Sequence, residues 1–226
     1  MKNHLHRVAA PRTWILDRKT HAFVVRPNAG RHNLSFGLPL GLVIRDVLHV
    51  AVTMDEVKKL LTTKTILVDG KRQKDHRFMV GLFDVLSLNQ NHYRVLIDTK
   101  GRLVVREISA AESSLKPCRV VGKSVISGGK IQIHLHDGQN ILLKEKNIHV
   151  GDTVVIHLPD AKIKEIFTLS PGSFVFLTKG RHNGDYGHLQ EIKGSIGLYQ
   201  KEGAVIETAK DYLFVLGTKT PCIALK

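Results

Sequence analysis

Apolar side chains recur along this chain with two different periods, and the change of period divides it. In LPLGLVIRDVLHVA, Leu40, Val43, Ile44, Val47, Leu48 and Ala51 return at the three-and-four spacing of a buried helical stripe, and Pro39 suits a first helical turn. Arg45 and His49 fall off that stripe. A second helix is announced by Thr53 with Glu56 three residues on, a capping box, and its apolar set is Val57, Leu60 and Leu61. Lys58 and Lys59 then face away from the core. After a break at Thr62 to Lys64, ILVDGK alternates like a strand and turns at Asp69-Gly70, a pair that tolerates positive φ. Lys71, Arg72, Lys74 and Arg77 follow the turn, and a further strand, VLSL, closes the stretch at Leu88.

From Asn89 to Leu169 the period is almost wholly two. HYRVLID and LVVREI make a hairpin across Thr99 to Gly101, followed by RVVGKSVI, IQIHLH, NILL, TVVIHL and KIKEIFTL, with glycine or Pro-Asp breaks between them. Short strands with tight turns imply a small barrel or sandwich, which hides its sheet edges. Alternation continues in GSFVFLTKGRHNGDYGHLQEI, then in AVIE and YLFVLG. Before Leu38 no period is sustained. The expected fold class is α+β and predominantly β.

Charge changes the reading of that aperiodic start. Residues 1–37 hold seven basic residues, Lys2, Arg7, Arg12, Arg18, Lys19, Arg26 and Arg31, against the single acid Asp17, a balance of 7 − 1 = +6. Such a segment buries too little apolar surface to offset its ordering entropy, so an arm that is mobile when free and held by phosphates when bound is expected. Each of its arginines would pair with backbone phosphate, while Trp14 would stack or insert into an apolar recess. The whole chain, 226 residues and 42% hydrophobic, carries a formal +14 from 34 Lys/Arg and 20 Asp/Glu, as expected of a protein that lives against phosphates, and a balance that anionic membrane surfaces would also accept. Two cysteines, Cys118 and Cys222, lack metal-ligand spacing, and no apolar run reaches the roughly 18 residues of a membrane span. With no hydrophobic signal core in MKNHLHRVAAPR, a cytoplasmic location is expected.

The order helix, helix, strand, turn, strand, with VDGK after the second helix and GLFDVLSL closing it, resembles the S-four RNA-binding domain. That resemblance implies RNA contacts at Arg45, Lys58, Lys59, Lys64, Lys71 and Arg72. HLHRVAAPRTW, DRKT, RPNAGRH and LPL are together similar to the N-terminal signature of the e-type small-subunit ribosomal protein number four, the S-four-e family. The last region, with GSFVFLTKGRHNGDYGHLQEI, looks like a KOW motif in a small barrel, which implies contacts from Lys179 and Arg181 near the glycines at 180, 184 and 187. Asp185 stands where relatives place a basic residue, so protein contact is the more plausible at that loop tip. The domains implied are a basic arm over 1–37, an S-four-type module over 38–88, a central β domain over 89–169 and a KOW-type barrel over 170–226. The short C-terminus and compact loops lean toward an archaeal source.

Arrangements that look like chemistry do not hold up. Gly122-Lys123-Ser124 lacks the earlier glycine of a phosphate-binding loop, and its surroundings read as strand. His134 and His136 share one strand face but have no clear third metal ligand. No serine or cysteine sits in a nucleophile-elbow context. The expectation is a structural, non-catalytic constituent of the small ribosomal subunit, without cofactor or small-molecule substrate, whose partners are ribosomal RNA and neighbouring ribosomal proteins and not a membrane. The rivals are a KOW-type transcription or translation factor and an RNA-modifying enzyme carrying an S-four module.

Overall fold

The computed structural model describes residues 4–143 and 147–225. The chain forms two compact units. One holds the residues up to Ile97 together with Arg102–Ser113; the other holds Asp98–Gly101 and the residues from Ser114 onward.

In the first unit the strands β1 (Leu5–His6) and β2 (Phe23–Val24) pair antiparallel within the basic arm. Strand β3 (Gly37–Pro39) leads into helix α1 (Leu40–Leu42), which widens over Val43–Val47, where the Leu48 amide donates to the Val43 carbonyl five residues back. Helix α2 (Met54–Thr63) follows, then β4 (Ile66–Val68), β5 (Lys71–Arg72), β6 (Met79–Gly81), β7 (Val85–Leu88), β8 (Asn91–Ile97), β9 (Leu103–Ile108) and the short α3 (Ala110–Ser113). Five of these strands form one antiparallel sheet in the order β5-β4-β7-β8-β9, while β3 pairs with β6.

Local chemistry explains these elements. The Glu56 amide donates to the Thr53 hydroxyl while the Glu56 carboxylate accepts from the Thr53 and Val52 amides, which closes the expected capping box. Asp69 and Gly70 take φ of 51° and 73°, the left-handed pair of a tight hairpin turn. Leu38, Leu40, Leu42, Ile44, Val57, Leu61, Leu86 and Leu103 are fully buried. The first helix is shorter than its stripe suggests. His49 adopts a φ of 51° and Val50 is 49% exposed, so the apolar spacing beyond Val47 belongs to a loop.

Two expectations about this half are corrected. The boundary after Leu88 falls inside a hairpin, because β7 pairs with β8 from Leu88↔Asn91 to Val85↔Arg94, and β9 continues the same sheet. The arm, in turn, is packed on its own unit. Trp14 is 2% exposed, and the His32 ring lies buried over Gly81, with Nε2 at 2.9 Å from the Asp84 carboxylate. A few large side chains anchor the segment where a periodic stripe is missing. The Leu103 amide also donates to the Thr13 carbonyl at 2.8 Å.

The second unit contains β10 (Leu115–Val125), β11 (Ile131–Leu135), β12 (Asn140–Leu143), β13 (Thr153–His157), β14 (Lys162–Phe167), β15 (Phe174–Leu177), β16 (Tyr186–Lys193), β17 (Ile196–Lys201), β18 (Ala204–Ala209) and β19 (Leu213–Gly217). They make two antiparallel sheets of five, β12-β11-β10-β13-β14 and β18-β17-β16-β15-β19. Strand β10 serves both its neighbours by halves, pairing with β13 through Leu115 to Arg119 and with β11 from Val120 on, across a register shift. Val175, Leu177, Leu189, Tyr199, Leu213 and Val215 form a buried cluster onto which Phe167 and Leu169 pack. The boundary expected at 169/170 therefore lies within one compact unit. Lys116 and Asp137 pair at 2.9 Å with both side chains fully buried; burial pushes the Asp137 carboxyl up, but Lys116, His136 and the Gln139 amide together hold it below its usual range.

Candidate nucleic-acid interface

Helix α2 buries Val57 and Leu61 completely and leaves Leu60 only half-buried, so its opposite face projects Lys58 and Lys59 into solvent. Lys58 bonds Asp55 one turn back at 3.0 Å, and that bond holds the Asp55 carboxyl below its usual range. At the C-terminal end of the helix Lys64 is exposed, and Arg72 of the hairpin donates to the Thr62 carbonyl at 3.1 Å. Lys71 is exposed at the hairpin turn. Burial lowers the His76 pKa against the pull of Asp75, and Lys58 and Arg77 both lie close enough to lower it further. Helix and hairpin thus share one basic edge, which Arg77 extends.

Arg45 belongs elsewhere. It is half-buried, and its guanidinium grips Asp46 at 2.5 and 3.0 Å, a bond that raises its pKa. Together with Arg7, Arg12 and Arg18 it lines a cavity of about 750 Å³ between the arm, the loop after α1 and the start of β9. Arg102, His21 and His49 also line this cavity. Sequence reasoning assigned none of these three a role; the position of His49 beside Arg45, off the helical stripe, was the available signal.

The arm's basic residues divide when placed in the structure. Arg7 is 6% exposed, bonds the Thr20 hydroxyl and faces Asp46 at 3.8 Å, so it is not the free phosphate contact expected. Arg18 donates to the carbonyls of Val8, Ala10 and Pro11 at 3.2, 2.7 and 2.7 Å. Arg31 reaches Asp69, itself buried, at 3.3 Å. Arg18 finds its acceptors in carbonyls that the irregular arm leaves unpaired, whereas Arg7 and Arg31 find theirs in side-chain oxygens of the same unit. Arg12, Lys19 and Arg26 are exposed, the last offering its carbonyl to Arg77. Lys2 lies outside the described residues.

In the second unit Lys179 and Arg181 are exposed between β15 and β16. Gly180 and Gly184 take φ of 89° and 82° there, which makes the tight turn possible. Asp185 is not displayed at the tip as expected. It is 8% exposed and takes a 2.7 Å ion pair from Lys201, whose pKa that bond raises, with His182 at 3.6 Å. The acid braces the turn from inside. His134 and His136 do not converge: the first sits between Ser124 and Asn140, and the second accepts from the Arg119 amide and meets the Phe214 ring edge-on.

Comparison with known proteins covers nearly the whole chain. A family model described as RS4NT (NUC023) domain matches residues 1–35, and one described as Ribosomal family S4e matches residues 89–163. The small ribosomal subunit protein eS4 of Methanocella arvoryzae is 40% identical over 98% of this chain and 97% of its own length. The chain belongs to ribosomal family S4e. The eS4 of Methanocaldococcus jannaschii is likewise 40% identical, over 99% of this chain and 98% of its own. The crystal structure of the 30S ribosomal protein S4e from Thermoplasma acidophilum aligns with a TM-score of 0.71 at 32% identity, covering 81% of this chain and 95% of that one. The S4e architecture is accordingly mostly β, in several sheets. No helix among the described residues is long and apolar enough to cross a membrane.

Proposed function

We propose that this S4e protein is a structural, non-catalytic constituent of the small ribosomal subunit, where it binds ribosomal RNA beside neighbouring ribosomal proteins on cytoplasmic ribosomes. The observation that carries the reading is the basic edge of Lys58, Lys59, Lys64, Lys71 and Arg72, solvent-exposed on one helix and the hairpin after it, in a chain whose eS4 relatives match it over nearly its whole length. Helix α2 and its hairpin act as the S-four-type module, and the turn with Lys179 and Arg181 as the KOW element of a C-terminal barrel. Phosphate neutralisation supplies most of the affinity, because lysines on a solvated face read charge and spacing more than base identity.

Two measurements test this. The protein should remain with small subunits through a high-salt wash, where a transient factor leaves. Its affinity for free small-subunit RNA should fall steeply with salt, each phosphate contact adding roughly 0.7 to 0.9 to the logarithmic slope. Loss on washing together with a flat salt response would overturn the proposal.

A further inference from the structure

The cavity under the arm holds more cationic groups than its own acids can satisfy. Of the two acids that line it, Asp46 is already taken by Arg45 and Arg7, and Asp17 is an exposed carboxylate, one negative charge against the two positive charges of Arg12 and Arg102; Arg18 is spent on backbone carbonyls. Arg12 and Arg102 are exposed on the cavity wall and have no hydrogen-bond or ion-pair partner among the described residues. Within the same wall the Arg7 side chain is 7% exposed, and its Nε finds no acceptor. A buried N–H without a partner costs about 1 to 3 kcal/mol, so it marks a place where an acceptor belongs. Ile15 and Val52, 39% and 84% exposed, give the cavity an apolar side.

We propose that this cavity receives one unstacked nucleotide of the ribosomal RNA, its phosphate toward Arg12 and Arg102 and its base against Ile15 and Val52. This rests on the ribosomal reading above and deepens it. The volume, about 750 Å³, falls within the roughly 300 to 1,000 Å³ of pockets that enclose a small molecule. It is a recess, and a duplex offers only a convex ridge of phosphates, so a splayed nucleotide fits where a helix cannot. Planar guanidinium forks bind phosphate oxygens in pairs and also stack on bases. The arm is therefore a wall of a preformed site, and the exposed lysines of α2 hold the surrounding RNA.

The test uses the full chain bound to small-subunit RNA, with the flexibility of each nucleotide read by chemical probing. Wild-type protein should protect one unpaired nucleotide that Arg12→Gln with Arg102→Gln leaves reactive, while protections that depend on Lys58 and Lys59 persist. Affinity should fall about tenfold or more, with a salt slope smaller by roughly 1. Arg106→Gln with Lys130→Gln removes the same charge elsewhere and should leave that protection in place. Val52→Trp, at an exposed rim position, fills the cavity without touching its charges and should expose the same nucleotide. Unchanged protection in both cavity variants, equal loss in the charge-matched control, or crosslinking of the cavity to a carboxylate of a neighbouring protein would overturn the proposal. Failure of wild-type protein to bind the RNA at all would instead overturn the ribosomal reading, and the nucleotide site with it.

Discussion

Trp14→Ala is the sharpest probe of whether the arm is part of the fold. The ring is 2% exposed and its Nε1–H donates to the Leu34 carbonyl at 3.2 Å, so truncation loses both the packing and the acceptor's partner. Large-to-small changes at buried aromatic positions cost about 3 to 5 kcal/mol. For a unit of about 100 residues that corresponds to a fall in melting temperature of roughly 12 to 20 °C, taking about 4 °C per kcal/mol. Trp14→Phe keeps most of the buried area and should lose only about 1 kcal/mol with the hydrogen bond. Limited trypsin digestion of the free protein reads the same event locally, because Arg12, Arg18 and Lys19 flank the anchor. Wild-type arm should resist cleavage, and in Trp14→Ala the open population, and with it the cutting rate, should rise between about a hundred- and a few thousand-fold. Rapid cutting of the wild-type arm, or a Trp14→Ala melting point within 2 °C or so of the wild type, would refute the packed arm and restore a tether that orders only on RNA.

The remaining predictions concern α2 and its neighbourhood. Leu61→Ala should cost about 2 to 5 kcal/mol in chemical denaturation because the side chain is fully buried, and half-buried Leu60→Ala should cost roughly 1 to 2; equal costs would mean the helix is rotated. Lys58→Ala with Lys59→Ala should leave the melting temperature near that of the wild type while flattening the salt dependence of RNA binding by roughly 1 to 2 in slope; a normal slope would remove these lysines from the interface. His76 should make the fold acid-sensitive. Burial sets its folded pKa below the ordinary value near 6.5, so on acidification the unfolded chain takes up the proton first. Its contribution is present in full above about 6.5 and is lost as pH falls through the lower folded value. A His76→Gln variant should show a shallower decline of stability over that window, and identical pH profiles would show that the imidazole does not sense folding.

How much of this was legible in the sequence depends on the range of the forces involved. Thr53 with Glu56, Asp69-Gly70 and the short apolar run FVFL are local signals, and each forms the element expected of it. The strand Ile196–Lys201 was not anticipated, since glycine at 197 and polar flanks hide its alternation. The extension of the first sheet through β8 rests on a local signal that was passed over: Leu88↔Asn91 closes a two-residue hairpin whose turn residue Asn89 takes a φ of 57°, a conformation asparagine tolerates.

The arginines show most clearly why charge alone overcounts contacts. An arm without regular structure leaves its carbonyls without ladder partners, and an unpaired carbonyl in a packed segment costs free energy. A guanidinium, with five donors on a long stem, is well suited to that deficit, and Arg18 satisfies three carbonyls of its own arm. Such a residue adds to the net charge but is spent on holding the arm's own turn. Its positive charge still biases the local potential, so it supports RNA binding through the field without making a contact. Among the arginines around the arm, the positions to credit with direct contact are therefore those whose donors find no acceptor within the fold. By that criterion Arg12 and Arg102 rank above Arg7 and Arg18, although only the first of them stands in the basic run that made the arm conspicuous.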